Sequence, residues 1–112
     1  MNNNLLQDLK CTSCNNLTPK LSKNEIKKNL KQLINWSIND ENEMIFKKYK
    51  FKNFKKAIDF ANSVGQISDE ERHHPDLSIG FGYCIVMIHT HAIKALSIND
   101  FILASKIDSL SI

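Results

Sequence analysis

The sequence predicts an α+β domain in which a four-stranded antiparallel sheet carries three helices on one face, in the order α-β-β-α-β-β-α. Three observations lead to this prediction. Apolar residues recur with a helical period in three separate segments, and strand-like runs fill the two intervals between those segments. The chain has 112 residues and no linker or repeat, which is the size of one domain.

The first helix begins with a clear start signal. Ser22 and Glu25 have the spacing of a capping box, and Leu21 with Ile26 can form the hydrophobic staple around it. Apolar residues then recur at helical spacing, which predicts an amphipathic helix over roughly residues 22–34.

A β-hairpin is predicted next. Trp36, Ser37 and Ile38 precede a polar turn at residues 39–42, and residues 44–51 then alternate between apolar and lysine side chains. Alternation has a period of two, so one face of this strand is expected to enter the core and the other to face solvent.

The period becomes helical again after Asn53, a plausible N-cap. Apolar residues from Phe54 to Val64 form one stripe, which predicts a helix to about Ser63 or beyond. Residues 76–90 predict a second strand pair, in which residues 83–88 are apolar almost continuously, as if both faces were covered.

The last helix repeats the start logic of the first. Ser97 and Asp100 have capping-box spacing, and Leu96 with Phe101 can form the staple, so a helix to about Asp108 is expected. This position gives Asp100 a complete structural explanation, which we favour over a catalytic one.

Composition excludes several classes of protein. The formal net charge of +3 is too small to indicate nucleic-acid binding. No apolar run approaches the roughly 20 residues needed to cross a bilayer. The N-terminus lacks a secretory signal pattern, so we expect a cytoplasmic protein.

Residues 1–20 are predicted to be a polar lead-in and residues 21–112 a single domain.

Cysteine usage indicates a reducing compartment, since Cys11, Cys14 and Cys84 are an odd and poorly spaced set for disulfides. Cys11 and Cys14 have the spacing of half a zinc site, but a structural zinc needs four ligands. We therefore interpret the pair as part of the lead-in.

All four histidines fall between residues 73 and 91, which marks the expected functional region. His89 and His91 are two apart on a predicted strand, so their side chains point the same way. His74 precedes Pro75, which favours a loop that can fold over the end of that strand. Such a cluster fits structural histidines, a metal site or metal-free acid/base catalysis, and spacing alone does not choose between the last two.

The histidine region resembles the signature of the pterin-4a-carbinolamine dehydratases. The resemblance rests on Asp69, then His73-His74-Pro75, Phe81, His91 and Asp100 at fixed spacing, and it extends from about Leu21 to the C-terminus. It implies dimers or tetramers and dehydration of a 4a-hydroxytetrahydropterin, the pterin 4a-carbinolamine, to quinonoid dihydropterin and water. This reaction supports tetrahydrobiopterin recycling, and the resemblance implies no metal and no cofactor.

The same resemblance implies roles for individual residues. His74 and His91 are assigned to proton transfer, and His73 to binding and orienting the pterin. Thr90 matches a position near the pterin, where backbone groups can contact the amide edge of the ring. Three residues depart from the pattern: Arg72 stands where an acidic residue is common, Leu77 stands where an aromatic residue is common, and His89 stands in place of a small polar residue.

Two other functions were weighed. Members of this family can act as coactivator-like dimerisation cofactors of transcription factors, and an exposed apolar stripe between Phe54 and Val64 would favour such an interaction role. Lysines at residues 47–56 alternate with Tyr49 and Phe51, which suggests nucleic-acid binding. Because the alternation directs the aromatic rings inward, a solvated lysine edge is the better interpretation.

Overall fold

The computed structural model of the protein describes residues 6–110. These residues form three α-helices and a four-stranded sheet, in the predicted order α-β-β-α-β-β-α. The elements are α1 (Lys23–Leu30), β1 (Ser37–Ile38), β2 (Ile45–Lys50), α2 (Phe54–Glu71), β3 (Asp76–Gly80), β4 (Tyr83–Ile88) and α3 (Ile98–Asp108). All strand pairs are antiparallel, and the strand order is β1-β2-β4-β3.

One face of the sheet forms the core with the helices. The central strand β4 alternates in burial: Cys84, Val86 and Ile88 are fully buried, whereas Tyr83, Ile85 and Met87 are partly exposed. The continuous apolar run of β4 therefore has one face that the helices cover. Its opposite face stays partly exposed within residues 6–110. Self-association, which the family resemblance implies, stays a prediction that sedimentation velocity would test.

Helix α1 is shorter than its apolar pattern indicated. Its capping box is present, with the Ser22 and Glu25 side chains each accepting a hydrogen bond from the other residue's backbone N–H. The helix ends at Leu30, and Asn35 adopts a left-handed conformation (φ 64°) just before the chain turns into β1. Leu33 still packs on the core, so the apolar period continues beyond the regular helix.

Helix α2 runs well past Ser63 and continues through Gly65 to Glu71. Asn53 caps its start by accepting a hydrogen bond from the Lys56 N–H at 2.9 Å. Arg72 ends the helix in the left-handed conformation (φ 55°), which turns the chain sharply toward His73. This turn places the two adjacent histidines in different environments.

A half-buried carboxylate ties the first hairpin to the last helix. Asp108 of α3 accepts hydrogen bonds from the Trp36 indole N–H at 2.9 Å and from the Tyr49 hydroxyl, and forms an ion pair with Lys47 at 2.8 Å. Burial, reinforced by the Asp108 carboxylate, raises the pKa of Tyr49.

Within residues 6–110, no helix is both long and apolar enough to cross a membrane.

Candidate active site

His73 is the buried member of the histidine cluster. Its side chain is 5% exposed, and its Nε2 lies 2.5 Å from Oδ1 of Asp100, which is fully buried at the start of α3. A carboxylate only accepts hydrogen bonds, so Nε2 carries the proton and donates it. Because Asp100 lies 27 residues away in the sequence, this contact fixes the end of α2 against the start of α3.

Asp100 connects that histidine to the end of strand β4. Its second oxygen accepts hydrogen bonds from the Ser97 N–H at 2.9 Å and from the Thr90 hydroxyl at 2.8 Å. The Thr90 and Ser97 hydroxyls also lie 2.7 Å apart. Asp100 thus takes part in the capping box that its spacing predicts. It is also the hydrogen-bond acceptor shared by His73 and Thr90, the residue before His91.

The N-terminal lead-in reaches the other ring nitrogen of His73. The Cys14 sulfur lies 3.5 Å from Nδ1 of His73 and also accepts a hydrogen bond from the Asn99 side chain at 3.1 Å. With the proton on Nε2, Nδ1 is the acceptor and the Cys14 thiol donates to it. Both ring nitrogens of His73 are therefore engaged inside the protein.

A second contact holds the lead-in against α2. The Cys11 N–H donates to the Glu71 carboxylate at 2.9 Å, and Lys106 lies 3.4 Å from the same group. Burial, with a contribution from the Glu71 charge, raises the pKa of the Cys11 thiol to about 12. Burial alone would raise the pKa of Glu71, but the Cys11 N–H and the Lys106 charge hold it below its usual value.

His74 lies on the surface although it directly follows His73. Its side chain is 62% exposed, and its Nε2 lies 2.9 Å from Oδ1 of Asp69, which is 81% exposed. A surface pair of this kind orients a ring without removing it from water. His74 is consequently accessible to a ligand.

His89 and His91 meet just beyond strand β4, but the prediction that both lie on a strand is wrong, because β4 ends at Ile88 and His91 begins a 3₁₀ turn (His91–Ile93). Their Nε2 atoms are 3.2 Å apart, and the rings meet edge to face with centroids 4.0 Å apart. His91 is exposed and His89 is half-buried. Together with Glu43 and Lys94, the two rings line an open cleft of about 330 Å³.

The structure thus divides the predicted site residues by exposure. His73 and Thr90 are buried and connected through Asp100, whereas His74 and His91 face solvent. Sequence reasoning missed Cys14 and Asn99, which touch the site from 59 and 26 residues away from His73. No local pattern signals such long-range contacts.

Comparisons with known proteins give the family. The family model for pterin 4 alpha carbinolamine dehydratase matches residues 19–110. The chain belongs to this family. It is 49% identical over 106 residues to a Rickettsia canadensis protein that carries the name pterin-4-alpha-carbinolamine dehydratase, covering 94% of this chain and 96% of that one. The resemblance inferred from the histidine spacing is therefore confirmed.

More distant relatives agree with this membership. A Methylococcus capsulatus protein with the same name is 42% identical over 101 residues, covering 90% of this chain and 89% of its own. Among solved structures, a transcriptional coactivator/pterin dehydratase from Brucella melitensis superposes with a TM-score of 0.77 at 25% identity, covering 81% of this chain and 97% of that one. The family fold, a four-stranded antiparallel sheet with three helices, is thus the fold found here.

Proposed function

We propose that the protein is a hydro-lyase that dehydrates a pterin 4a-carbinolamine to quinonoid dihydropterin and water by histidine acid/base catalysis. The observation that carries the proposal is the difference in exposure within the cluster. His74 and His91 present accessible imidazoles, whereas His73 is buried with both nitrogens engaged. Family membership supplies the substrate class.

The reaction needs two proton transfers that two imidazoles can supply. The bond from C4a of the pterin to its hydroxyl oxygen breaks, and that oxygen leaves as water after accepting a proton. The proton on ring nitrogen N5 departs, and its electron pair forms the N5–C4a double bond. One cationic imidazole donates the first proton and one neutral imidazole accepts the second, and histidine supplies both forms near neutral pH.

The remaining residues act by position. The hydrogen bond to Asp69 orients the His74 ring. His73, locked between Asp100 and Cys14, holds the loop that carries His74, which favours a positioning role over proton transfer. Direct binding of the pterin by His73 stays a prediction. The Thr90 hydroxyl is taken by Asp100 and Ser97, and its backbone N–H donates to the Ala95 carbonyl at 3.0 Å. The Thr90 carbonyl oxygen, which accepts the Ile93 N–H, keeps a second lone pair and is the group through which Thr90 would contact the pterin.

The interaction role is not proposed, because the stripe that would carry it belongs largely to the core. Ala57, Ala61 and Val64 are buried against the sheet, and Phe54, at the start of α2, is 48% exposed.

The test generates the 4a-carbinolamine by synthesis and follows quinonoid dihydropterin spectroscopically. We expect the wild-type protein to accelerate the reaction equally with and without a chelator. Positioned proton transfer is worth about 10²–10⁴-fold in rate, so His74→Ala and His91→Ala should each lose about 10²-fold or more. The matched control is His89→Ala, which removes a neighbouring imidazole and should keep most of the activity.

Two results would contradict the proposal. A protein that gives no acceleration is not a dehydratase for this substrate. A rate that falls on chelation and returns with added metal excludes the metal-free mechanism.

A further inference from the structure

Three possible metal ligands converge beside the proposed proton-transfer site. Asp76, His89 and His91 each offer one ligand atom, and these atoms all lie within 4.8 Å of one another. Asp76 opens β3 and pairs with Met87 near the end of β4. His89 follows one residue after β4 ends at Ile88, so the antiparallel register brings it close to the start of β3, where Asp76 lies.

The distances suit a small transition-metal ion. A metal bound at the usual 2.0–2.1 Å by two nitrogens at the tetrahedral angle separates those nitrogens by about 3.3 Å. The two Nε2 atoms are already 3.2 Å apart. The carboxylate oxygen of Asp76 is 4.0 Å from Nε2 of His89, and this exposed side chain can approach by changing its rotamer.

We propose that Asp76, His89 and His91 form a binding site for Zn²⁺ or a related divalent transition metal. Two imidazoles and one carboxylate are the donors that such ions prefer, whereas Mg²⁺ and Ca²⁺ prefer oxygen ligands alone. Three protein ligands leave a further position open. Two of the three, His89 and His91, line the open cleft together with Glu43 and Lys94.

Metal binding at this position inhibits the reaction, a consequence that rests on the proposed function. The metal takes the Nε2 lone pair of His91, so that imidazole no longer accepts or delivers a proton. The ion is not part of the dehydration mechanism. His89 completes the set of three metal ligands with Asp76 and His91. This gives His89, which has no role in the proposed reaction, a specific function.

The test is isothermal titration of ZnCl₂ into untagged full-length protein previously freed of metal. We expect one Zn²⁺ per chain in the wild type and no heat with MgCl₂. Loss of even an indirect partner of a metal ligand typically weakens binding 10–100-fold, so losing a ligand should cost at least about tenfold. His89→Ser, Asp76→Asn and His91→Ala should each show that loss.

The matched control is His74→Ala, which removes an exposed imidazole outside the cluster and should bind Zn²⁺ like the wild type. Circular dichroism of each variant checks that a lost heat does not reflect unfolding. The proposal is overturned if the His89→Ser and Asp76→Asn variants bind as tightly as the wild type, if His74→Ala binds as weakly as they do, or if Mg²⁺ binds equally well.

The dehydratase assay then separates the metal site from the activity. Zn²⁺ should inhibit the wild type, and His89→Ser should keep its activity while needing at least about tenfold more Zn²⁺ for the same inhibition. Bound Zn²⁺ without inhibition would overturn the inhibitory role. If the protein has no dehydratase activity at all, the proposed function fails, and the titration still decides the metal site.

Discussion

Two histidine–aspartate pairs with the same chemistry differ in burial, and the difference predicts very different energies. The His73–Asp100 pair is almost completely buried, whereas His74 and Asp69 are largely in water. We predict that Asp100→Ala strongly destabilises the fold and that Asp69→Ala, the matched control, barely affects it.

The magnitude follows from the contacts of Asp100. Its removal leaves three buried donors without their acceptor: the His73 ring N–H, the Thr90 hydroxyl and the Ser97 N–H. An unsatisfied buried donor costs about 1–3 kcal/mol, but the Thr90 hydroxyl can still pair with the Ser97 hydroxyl. Two orphaned donors together give about 2–6 kcal/mol.

Asp69→Ala should cost at most about 1 kcal/mol, because solvent screens an exposed pair and hydrates the remaining histidine. Urea denaturation at one fixed protein concentration measures both free energies of unfolding, and the fixed concentration removes any effect of self-association. Asp100→Asn, which keeps one acceptor oxygen, should lie between the wild type and Asp100→Ala. Equal costs for Asp69→Ala and Asp100→Ala, or a cost below about 1 kcal/mol for the buried residue, would refute the reasoning.

Three further predictions concern the end of α2 and the lead-in. Arg72→Gly should stabilise the protein by about 0.5–1 kcal/mol in urea denaturation, since glycine adopts the left-handed conformation without steric cost, and a loss of stability would contradict this. The pKa of Glu71 is lower in the folded protein than in the unfolded chain, so the charged carboxylate stabilises the fold at pH values above its ordinary pKa. This stabilisation is lost as the pH falls through the pKa of the folded state. Glu71→Gln should therefore flatten the decline in unfolding free energy on acidification, and an unchanged acid profile would count against the contact. Of the three thiols, Cys14 should react first with a disulfide reagent, because Cys84 is buried and the pKa of Cys11 is about 12. Mass spectrometry of the labelled protein gives the order of reaction, and a different order would contradict this prediction.

Local patterns in the sequence predicted the elements well where the controlling interaction is local. The capping box at Ser22 and the cap at Asn53 marked two helix starts correctly, since each cap acts within four residues. Helix ends were predicted less well. Helix α2 continues through Gly65 to Glu71, because Ile67 still packs against the core and Ser68 is buried there.

The histidine site was predicted in identity but not in environment. The resemblance to the dehydratase signature selected His73, His74 and His91, yet nothing in two adjacent histidines indicates that one is buried and the other exposed. The left-handed turn at Arg72 and the long-range contact with Asp100 decide it. The contact between Cys14 and His73 was likewise invisible, because it spans 59 residues.

The sequence by itself thus determined the α+β architecture, the helix starts and the family to which the chain belongs. These features depend on periodicity, capping and fixed spacing, all of which are properties of neighbouring residues. Only the tertiary structure decided which histidines face solvent, how the lead-in docks, and that Asp76 approaches His89. Those features depend on strand register and on burial, which arise when distant segments pack together and exclude water from some polar groups and not from others.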